Sequence, residues 1–263
     1  MKIKKFLLAI LVLSIISQCL FFPASAESIQ KQGEIPERMA PNTIIEFTND
    51  STYVIIKGGE YDTDVEFTEV PVIDNRTQEE IEATNAFDEW SKWADSQIIE
   101  EDIINIEPVK PVAGMVVTYA DDGYILNIQD NSQSVLSQDS NTTRAYEIAS
   151  NGTYRWGAHN NTLQITNTYV RGTGRFTNFT DTIGQANHRL VKGDVATKME
   201  YENCILGQPL ICKANGYTRT MYKWDVGGMP DAILDIWKTG VECFGYTWSS
   251  NLSINNGEYC YYR

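Results

Sequence analysis

The sequence lacks the motifs on which several common enzyme chemistries depend. It has only two histidines, His159 and His188, and no GxSxG, HExxH, P-loop or GxGxxG pattern. This argues against serine hydrolases of the nucleophile-elbow type, zinc metalloproteases and nucleotide-binding enzymes. A zinc site would also lack its usual ligands, since no CxxC pair is present. We therefore expect no cofactor and no bound metal.

Basic residues are scarce in the first half of the chain. Residues 27–140 contain 25 Asp and Glu but only 6 Lys and Arg, whereas residues 141–263 contain 10 and 12. Neither half is basic enough to offset phosphate charge, so we expect neither nucleic acid nor an anionic membrane surface as a partner. Such an asymmetry is typical of a tail, linker or pro-segment beside a compact domain.

Long apolar runs are absent except at the N-terminus. The chain begins MKIKK, continues with an apolar run over residues 6–22 and reaches residues 24–26 (ASA) before Glu27. This pattern predicts a secretory signal peptide over residues 1–26. An uncleaved signal anchor is the alternative, because the run approaches the length that spans a bilayer. We expect cleavage, no membrane attachment afterwards, and a monomer in the extracellular space or cell wall of a bacterium.

Cysteine is absent from residues 27–203. The remaining part of the mature chain has four cysteines: Cys204, Cys212, Cys243 and Cys260. In an oxidising compartment they are expected to form two disulfides, for which three pairings exist. We favour Cys204 with Cys212 and Cys243 with Cys260, and four buried thiols are the alternative.

The acidic half nevertheless contains patterns of regular structure. Residues 43–51 (TIIEFTNDS) resemble residues 115–123 (MVVTYADDG), and an apolar strand follows each. β-branched and aromatic residues on both sides of a turn predict two hairpins. Between them, residues 78–104 combine acids with apolar residues at helical spacing, which predicts a solvated helix with one packing face. Residues 129–150 have the polar composition of a linker.

From Tyr154 onward, short β-rich runs alternate with Gly and Asn, which predicts an all-β domain. Five segments of it occur in a distinctive order: residues 171–178 (RGTGRFTN), 193–197 (GDVAT), 206–212 (LGQPLIC), 220–230 (TMYKWDVGGMP) and 232–236 (AILDI). In order and spacing they resemble the double-psi β-barrel family of rare lipoprotein A, bacterial expansins and the barwin and family-45 endoglucanase relatives. In that family a GTxVxV strand leads to a strand that ends in Asp, and then to hhDLS and a helix.

The resemblance implies a mainly β protein with a C-terminal, six-stranded double-psi barrel and a short helix. We accordingly divide the chain into a signal peptide, an acidic region with hairpins and one helix, a linker with lead-in strands, and the barrel. Their bounds are residues 1–26, 27–140, 141–169 and 170–263.

In this family two aspartates lie on the floor of an open groove that binds polysaccharide, and the resemblance assigns them to Asp225 and Asp235. A protonated carboxyl can deliver a proton to a glycosidic oxygen. Asp235 is the stronger candidate, because desolvation within its apolar strand would raise its pKa. The alternatives are a helix N-cap for Asp235 and a turn for Asp225. His188 is a further candidate base, with a solvated loop histidine as its alternative.

The resemblance also points to substrate-binding residues, some of which depart from the family pattern. Thr177 matches a groove-lining threonine, whereas Asn178 stands where hydrolytic relatives have a base aspartate, and an amide is a poor base. Asp181 could replace that base if its loop folds back, and Asp194 is the acid closest to the family's glutamate position. Trp237 replaces a small hydroxyl residue and would either stack on a sugar or pack in the core.

These features favour a secreted protein that binds peptidoglycan or another wall polysaccharide and remodels it without hydrolysis, as expansins do. Two alternatives stay open. One is a glycan-cleaving enzyme resembling lytic transglycosylases, which needs a single acid/base group because the sugar's own hydroxyl attacks. The other is a protein-interaction module with the acidic region as a pro-segment.

Overall fold

The structure is a computed structural model that describes residues 29–30, 33–58, 76–130, 149–198, 204–249 and 251–263. The predicted signal peptide and residues 131–148 of the predicted linker lie outside the described residues. No helix among the residues described is both long and apolar enough to cross a bilayer.

The described part of the chain is mainly β, as predicted. Its strands are β1 (Ile29–Gln30), β2 (Ile44–Phe47), β3 (Thr52–Lys57), β4 (Ile103–Asn105), β5 (Met115–Tyr119), β6 (Ile125–Asp130), β7 (Gly152–Trp156), β8 (Asn161–Ile165), β9 (Tyr169–Phe179), β10 (Asp194–Lys198), β11 (Pro209–Ala214), β12 (Tyr217–Gly227), β13 (Leu234–Trp237) and β14 (Ile254–Tyr262). Its helices are α1 (Gln78–Asp95) and the short 3₁₀ helices Glu100–Asp102, Gln185–Asn187 and Lys238–Phe244.

Six strands close into a mixed barrel. Their order is β13-β10-β12-β11-β14-β9, and β9 pairs with β13 to complete the ring. The pairs β10–β12 and β9–β13 are parallel, and the other four are antiparallel. The first half of β9 pairs with β8 and its second half with β13. Strands β8, β7 and β4 therefore extend the barrel wall outward as a sheet.

Side chains alternate between the barrel interior and its outer face. Val195 on β10 and both Leu234 and Ile236 on β13 are buried in the main apolar core. Burying a side chain of this size contributes roughly 1.5–3 kcal/mol. Successive strand residues point to opposite sides. Ala196, which follows Val195, and Asp235, which lies between Leu234 and Ile236, therefore face outward.

Five antiparallel strands form a second sheet, in the order β1-β3-β2-β5-β6. The pairs β2–β3 and β5–β6 are the two predicted hairpins, which are confirmed. Strand β2 also pairs with β5, so the hairpins lie side by side. Ile45, Phe47 and Val117 are buried in a common core on one face of this sheet.

Helix α1 begins where the sequence predicts and ends earlier than predicted. The Thr77 hydroxyl accepts a hydrogen bond from the Glu80 amide, and the Glu80 carboxylate accepts one from the Thr77 amide. This capping box satisfies two amides at the start of the helix. The helix stops at Asp95, and residues 103–105, at the end of the stretch predicted as helix, form strand β4, which pairs with β7.

The acidic side chains of α1 bind basic residues of the barrel. Three ion pairs join the two: Glu80 with Arg219, Asp88 with Lys213, and Asp95 with Arg171. The indole of Trp90 also packs edge-on against Tyr169, with 5.3 Å between ring centroids. These ion pairs thus neutralise part of the excess negative charge of residues 27–140 within the chain.

Removing the helix cap gives a first test of this packing. Thr77→Ala is expected to lower the free energy of unfolding by about 1 kcal/mol, because the Glu80 amide loses its acceptor. Urea denaturation measures the change, and Thr180→Ala, at an exposed loop threonine, serves as control. Equal stability of the two variants would contradict a stabilising role for the capping box.

The two disulfides predicted from the sequence are absent. No disulfide joins the cysteines that the structure describes: Cys204, Cys212, Cys243 and Cys260. Cys204 and Cys212 both lie in the main core of the barrel. Burial raises the pKa of the Cys212 thiol well above its usual value and that of Cys260 to about 12. These thiols are therefore held in their neutral, unreactive form.

Cys243 and Cys260, the second predicted pair, have different neighbours. Cys243 lies close enough to Lys192 to help raise the pKa of its ammonium group. Cys260 lies on β14 opposite Arg171 and is influenced by Glu258. An argument from compartment alone cannot anticipate this placement, because disulfide formation also requires suitable Cβ directions.

Candidate functional site

Four residues form a row across neighbouring strands on the outer face of the barrel. Thr177 on β9 lies opposite Asp235 on β13, and Asp235 lies opposite Ala196 on β10. Ala196 in turn lies opposite Asp225 on β12. Because opposed residues on paired strands share a face, a hydroxyl and two carboxylates meet there with only a methyl group between the carboxylates. The two predicted catalytic residues thus belong to one site.

Asp235 holds its proton more tightly than an ordinary aspartate. Burial is the main cause that raises its pKa to about 6, and the negative charges of Asp225 and Asp181 add to it. A hydrogen bond donated by the Thr177 hydroxyl and the charge of Arg175 act in the opposite direction. A carboxyl that is half protonated near pH 6 can act as a general acid at mildly acidic or neutral pH.

Asp181 lies in the loop after β9, which folds back toward the row. Its carbonyl accepts a hydrogen bond of 2.6 Å from the indole N–H of Trp237. Burial raises the pKa of Asp225 as well, and the charge of Asp181 adds to this effect. Asp225 also accepts a 2.9 Å hydrogen bond from the amide of Val226, the next residue of β12. The site thus contains three carboxyl groups, of which Asp181 is the most exposed.

Trp237 forms an aromatic edge beside Asp235. It lies on β13 opposite Phe179 of β9, two positions after Asp235 and therefore on the same face. The side chain is partly exposed, and the ammonium group of Lys238 lies 4.9 Å from its ring centroid. The structure therefore places this tryptophan at the site rather than in the core.

Asn178, which was predicted to contact substrate, lies outside the row. It follows Thr177 on β9 and therefore points to the other side of the strand, where it is buried opposite Ile236. Its amide donates a hydrogen bond of 2.6 Å to the carbonyl of Leu252. The side chain thus links β9 to the segment that precedes β14.

Asp194, which was also predicted to contact substrate, makes hydrogen bonds within the fold. It is buried and accepts hydrogen bonds from the Val191 amide at 2.7 Å and from Nε2 of His188 at 2.9 Å. The His188 ring stacks on Trp224, with centroids 3.9 Å apart and planes 11° from parallel. His188 is therefore a positioned side chain, and it lies beside the residue that precedes Asp225.

The loop after β12 contributes residues that the sequence reasoning missed. The Met229 carbonyl accepts hydrogen bonds from the Lys198 ammonium at 3.0 Å and from the Trp156 indole at 3.2 Å. Ala196 of the row packs in a small apolar cluster with Met229, Ala232 and Phe179. These apolar neighbours explain the desolvation of Asp235. A Cβ at Gly227 would lie only 3.3 Å from the Asp235 carboxylate, so the glycine leaves that carboxylate room.

Comparison with known proteins returned no protein-family model, no curated protein and no solved structure that matches this chain. Its function is therefore inferred from the chemistry of the row and its surroundings.

Proposed function

We propose that the row Thr177–Asp235–Ala196–Asp225 is the floor of a groove that binds a cell-wall polysaccharide, such as peptidoglycan, outside the cell. The protein would loosen the glycan without hydrolysing it, as an expansin does. The observation that carries this proposal is the meeting of Asp235, its pKa raised to about 6, with Asp225 and Thr177 on one face of a closed barrel. The signal-peptide pattern of residues 1–26 supports the compartment.

The strand order supports a barrel of the double-psi type. Six strands form a closed ring that includes the parallel pairs β9–β13 and β10–β12, an arrangement compatible with that fold. The five sequence segments that resemble the family contribute to these strands and the loops between them. In the family, the aspartates that correspond to Asp225 and Asp235 lie in the polysaccharide groove.

The groups in the row favour binding over hydrolysis. Hydrolysis with inversion needs a base carboxylate across the glycosidic bond from the acid. The family's base position is Asn178 here, and this amide points away from the row. Asp225 and Asp235, which are both partly exposed, can instead compete for the hydroxyl groups that hold neighbouring glycan chains together, while the buried Thr177 donates to Asp235 and holds it in place. The face of Trp237 can stack on the C–H groups of a sugar ring.

A glycan-cleaving enzyme of the lytic transglycosylase type is the second candidate, and the position of Asp181 favours it. Protonated Asp235 would give its proton to the glycosidic oxygen as the C–O bond breaks. The sugar's own hydroxyl would attack the anomeric carbon and return a proton to the Asp235 carboxylate. The negative charge of Asp181 near both aspartates helps Asp235 to remain protonated before the reaction.

A pro-segment that masks the groove is less well supported. The ion pairs between α1 and the barrel involve Lys213, Arg219 and Arg171, none of which belongs to the row. The described part of the acidic region therefore packs as an integral part of the fold.

Pelleting with insoluble peptidoglycan tests the proposal on the chain expressed from residue 27 onward. We expect the protein to pellet without releasing soluble fragments, and we expect Trp237→Ala to weaken binding about tenfold. Trp248→Ala, at an exposed tryptophan elsewhere, is the matched control and should bind like the unmodified protein. Fragment release that Asp235→Asn abolishes would establish the enzyme instead. Absence of pelleting with peptidoglycan, cellulose and chitin would contradict both.

A further inference from the structure

A second concave site lies between the C-terminal end of α1 and strands β7 and β8. The cavity has a volume of about 310 Å³ and is open to solvent. Two aromatic and four polar side chains line it: Trp93, Tyr169, Gln97, Gln164, Thr153 and Thr166. The other two lining residues are a glycine and an isoleucine, so no charged side chain lines the cavity among the residues that the structure describes. Its volume is at the lower end of the range for small-molecule sites.

Gln164 provides a buried hydrogen-bond acceptor at this cavity. Its residue surface is only 5% exposed, and its Oε1 has no hydrogen-bond partner among the described residues. The amide nitrogen Nε2 donates to the Ala94 carbonyl of α1 at 3.5 Å, so the oxygen Oε1 is the atom left without a donor. Thr153 lies directly opposite on β7 and therefore shares the face of Gln164. A buried acceptor without a donor costs stability, and a ligand hydroxyl would satisfy it.

Trp93 provides an aromatic surface at the rim of the same cavity. Its side chain is 49% exposed although it lies on a helix that packs against the barrel. Its ring packs at 60° against Tyr169, with centroids 5.8 Å apart, so the indole is supported from one side. Exposed large aromatic side chains that are held in place in this way are well suited to stack on apolar ligand faces.

We propose that this cavity is a second carbohydrate site that binds one pyranose unit of a neutral glycan. A sugar ring combines apolar C–H faces, which match Trp93, with hydroxyl donors, which match Gln164 and the threonines. The described lining is uncharged, which matches a sugar without charged substituents. Tyr169 at the cavity and Thr177 in the row are eight residues apart on β9, which corresponds to roughly 26 Å along a strand. The two sites are therefore distinct, and the cavity does not depend on the function proposed for the row.

Nuclear magnetic resonance can follow both sites separately through tryptophan indole signals. The chain expressed from residue 27 onward and labelled with ¹⁵N-tryptophan would be titrated with cellotetraose and, separately, with the tetramer of N-acetylglucosamine. We expect at least one of these probes to shift the Trp93 indole signal in a saturable manner. The same shift should persist in Trp237→Ala, because that variant removes only the aromatic edge of the row.

Variants at the cavity complete the test. In uniformly ¹⁵N-labelled protein, where the Gln164 side-chain amide signal can be followed, Trp93→Ala is expected to weaken binding at the cavity about tenfold. Gln97→Ala provides a second, exposed rim variant that should weaken it less. Trp248→Ala is the matched tryptophan control and should leave the affinity unchanged. A Trp93 signal that neither probe shifts, or a Trp93→Ala variant that keeps its affinity within about twofold, would overturn the proposal. Shifts confined to Trp237 would overturn it as well while leaving the function proposed for the row intact.

Discussion

Replacing Arg175 with methionine is expected to lower the free energy of unfolding by about 3–5 kcal/mol, because the change leaves a buried carboxylate without its cation. Arg175 is fully buried. Its Nε and Nη2 donate hydrogen bonds of 3.1 and 2.8 Å to Asp122, and its Nη1 donates one of 2.7 Å to the Ile125 carbonyl. The guanidinium group of a barrel strand thus holds the β5–β6 hairpin of the second sheet.

The same guanidinium group belongs to a larger buried network. Its Nη1 lies 3.3 Å from the Asp231 carbonyl, to which it donates. The Asp231 carboxylate accepts a hydrogen bond of 2.9 Å from Asn161 and lies 2.8 Å from Nδ1 of His159. Ser253 donates to the Asp122 carboxylate. Loss of one member leaves several buried polar groups without partners, which is why the expected effect is large.

Urea denaturation of both the variant and a matched control measures this effect. Arg155→Met removes an arginine that pairs with Glu100 at 3.2 Å, with the glutamate side chain 73% exposed. Such a pair contributes at most about 1 kcal/mol, so this control should stay close to the unmodified protein. Adding Asp122→Leu to Arg175→Met removes the unpaired carboxylate and should restore part of the lost stability. Equal destabilisation by Arg175→Met and Arg155→Met would contradict the role of the network.

Local sequence patterns predicted the elements whose hydrogen bonds are local. The hairpins β2–β3 and β5–β6 follow from β-branched residues on both sides of a turn, and the start of α1 follows from its acidic first turn. The end of α1 could not be predicted in the same way. Residues 103–105 pair with β7, about 50 positions away along the chain, and such a partner leaves no signal in a short window.

The candidate site was predictable in part. The segment resemblance identified Asp225 and Asp235, and the register brings them together across Ala196. It also assigned both Thr177 and Asn178 to the groove, although adjacent residues of a strand point to opposite faces. Alternation alone would have shown that only one of the two could line the row. The buried pair of Arg175 with Asp122 spans 53 positions, and no local pattern indicates it.

Asp235→Asn is expected to stabilise the protein above about pH 6 and to change its stability little near pH 4. Burial raises the pKa of Asp235 in the folded protein to about 6, above the ordinary 3.8. As pH rises from about 4 to 6, the unfolded chain therefore loses this proton before the folded protein does. The free energy of unfolding falls over this interval, and the whole decrease is present above pH 6. An asparagine is neutral throughout, so the variant avoids a cost on the order of 1–3 kcal/mol.

Urea denaturation at about pH 4 and pH 8 measures this difference. Asp102→Asn, at an exposed acid, is the matched control and should show no comparable gain at pH 8. A gain from Asp235→Asn that is equal at both pH values would contradict a raised pKa for this carboxyl. A residue that lowers stability in its ionised form is expected at a functional site, because such a residue is retained for its chemical role and not for its contribution to stability.

The same variant separates the two functions proposed for the row. Asparagine keeps one hydrogen-bond donor and one acceptor at this position, much as protonated Asp235 does. If the row only binds glycan, the unmodified protein should pellet with peptidoglycan better at about pH 5 than at pH 8, whereas Asp235→Asn should pellet equally well at both. If the row cleaves glycan, Asp235→Asn should still bind but release no fragments, because an amide cannot transfer the proton. If Asp235→Asn loses pelleting equally at both pH values, both functions would be contradicted. Such a loss would mean that glycan binding needs a contact that only the ionised carboxylate can make, and neither function includes such a contact.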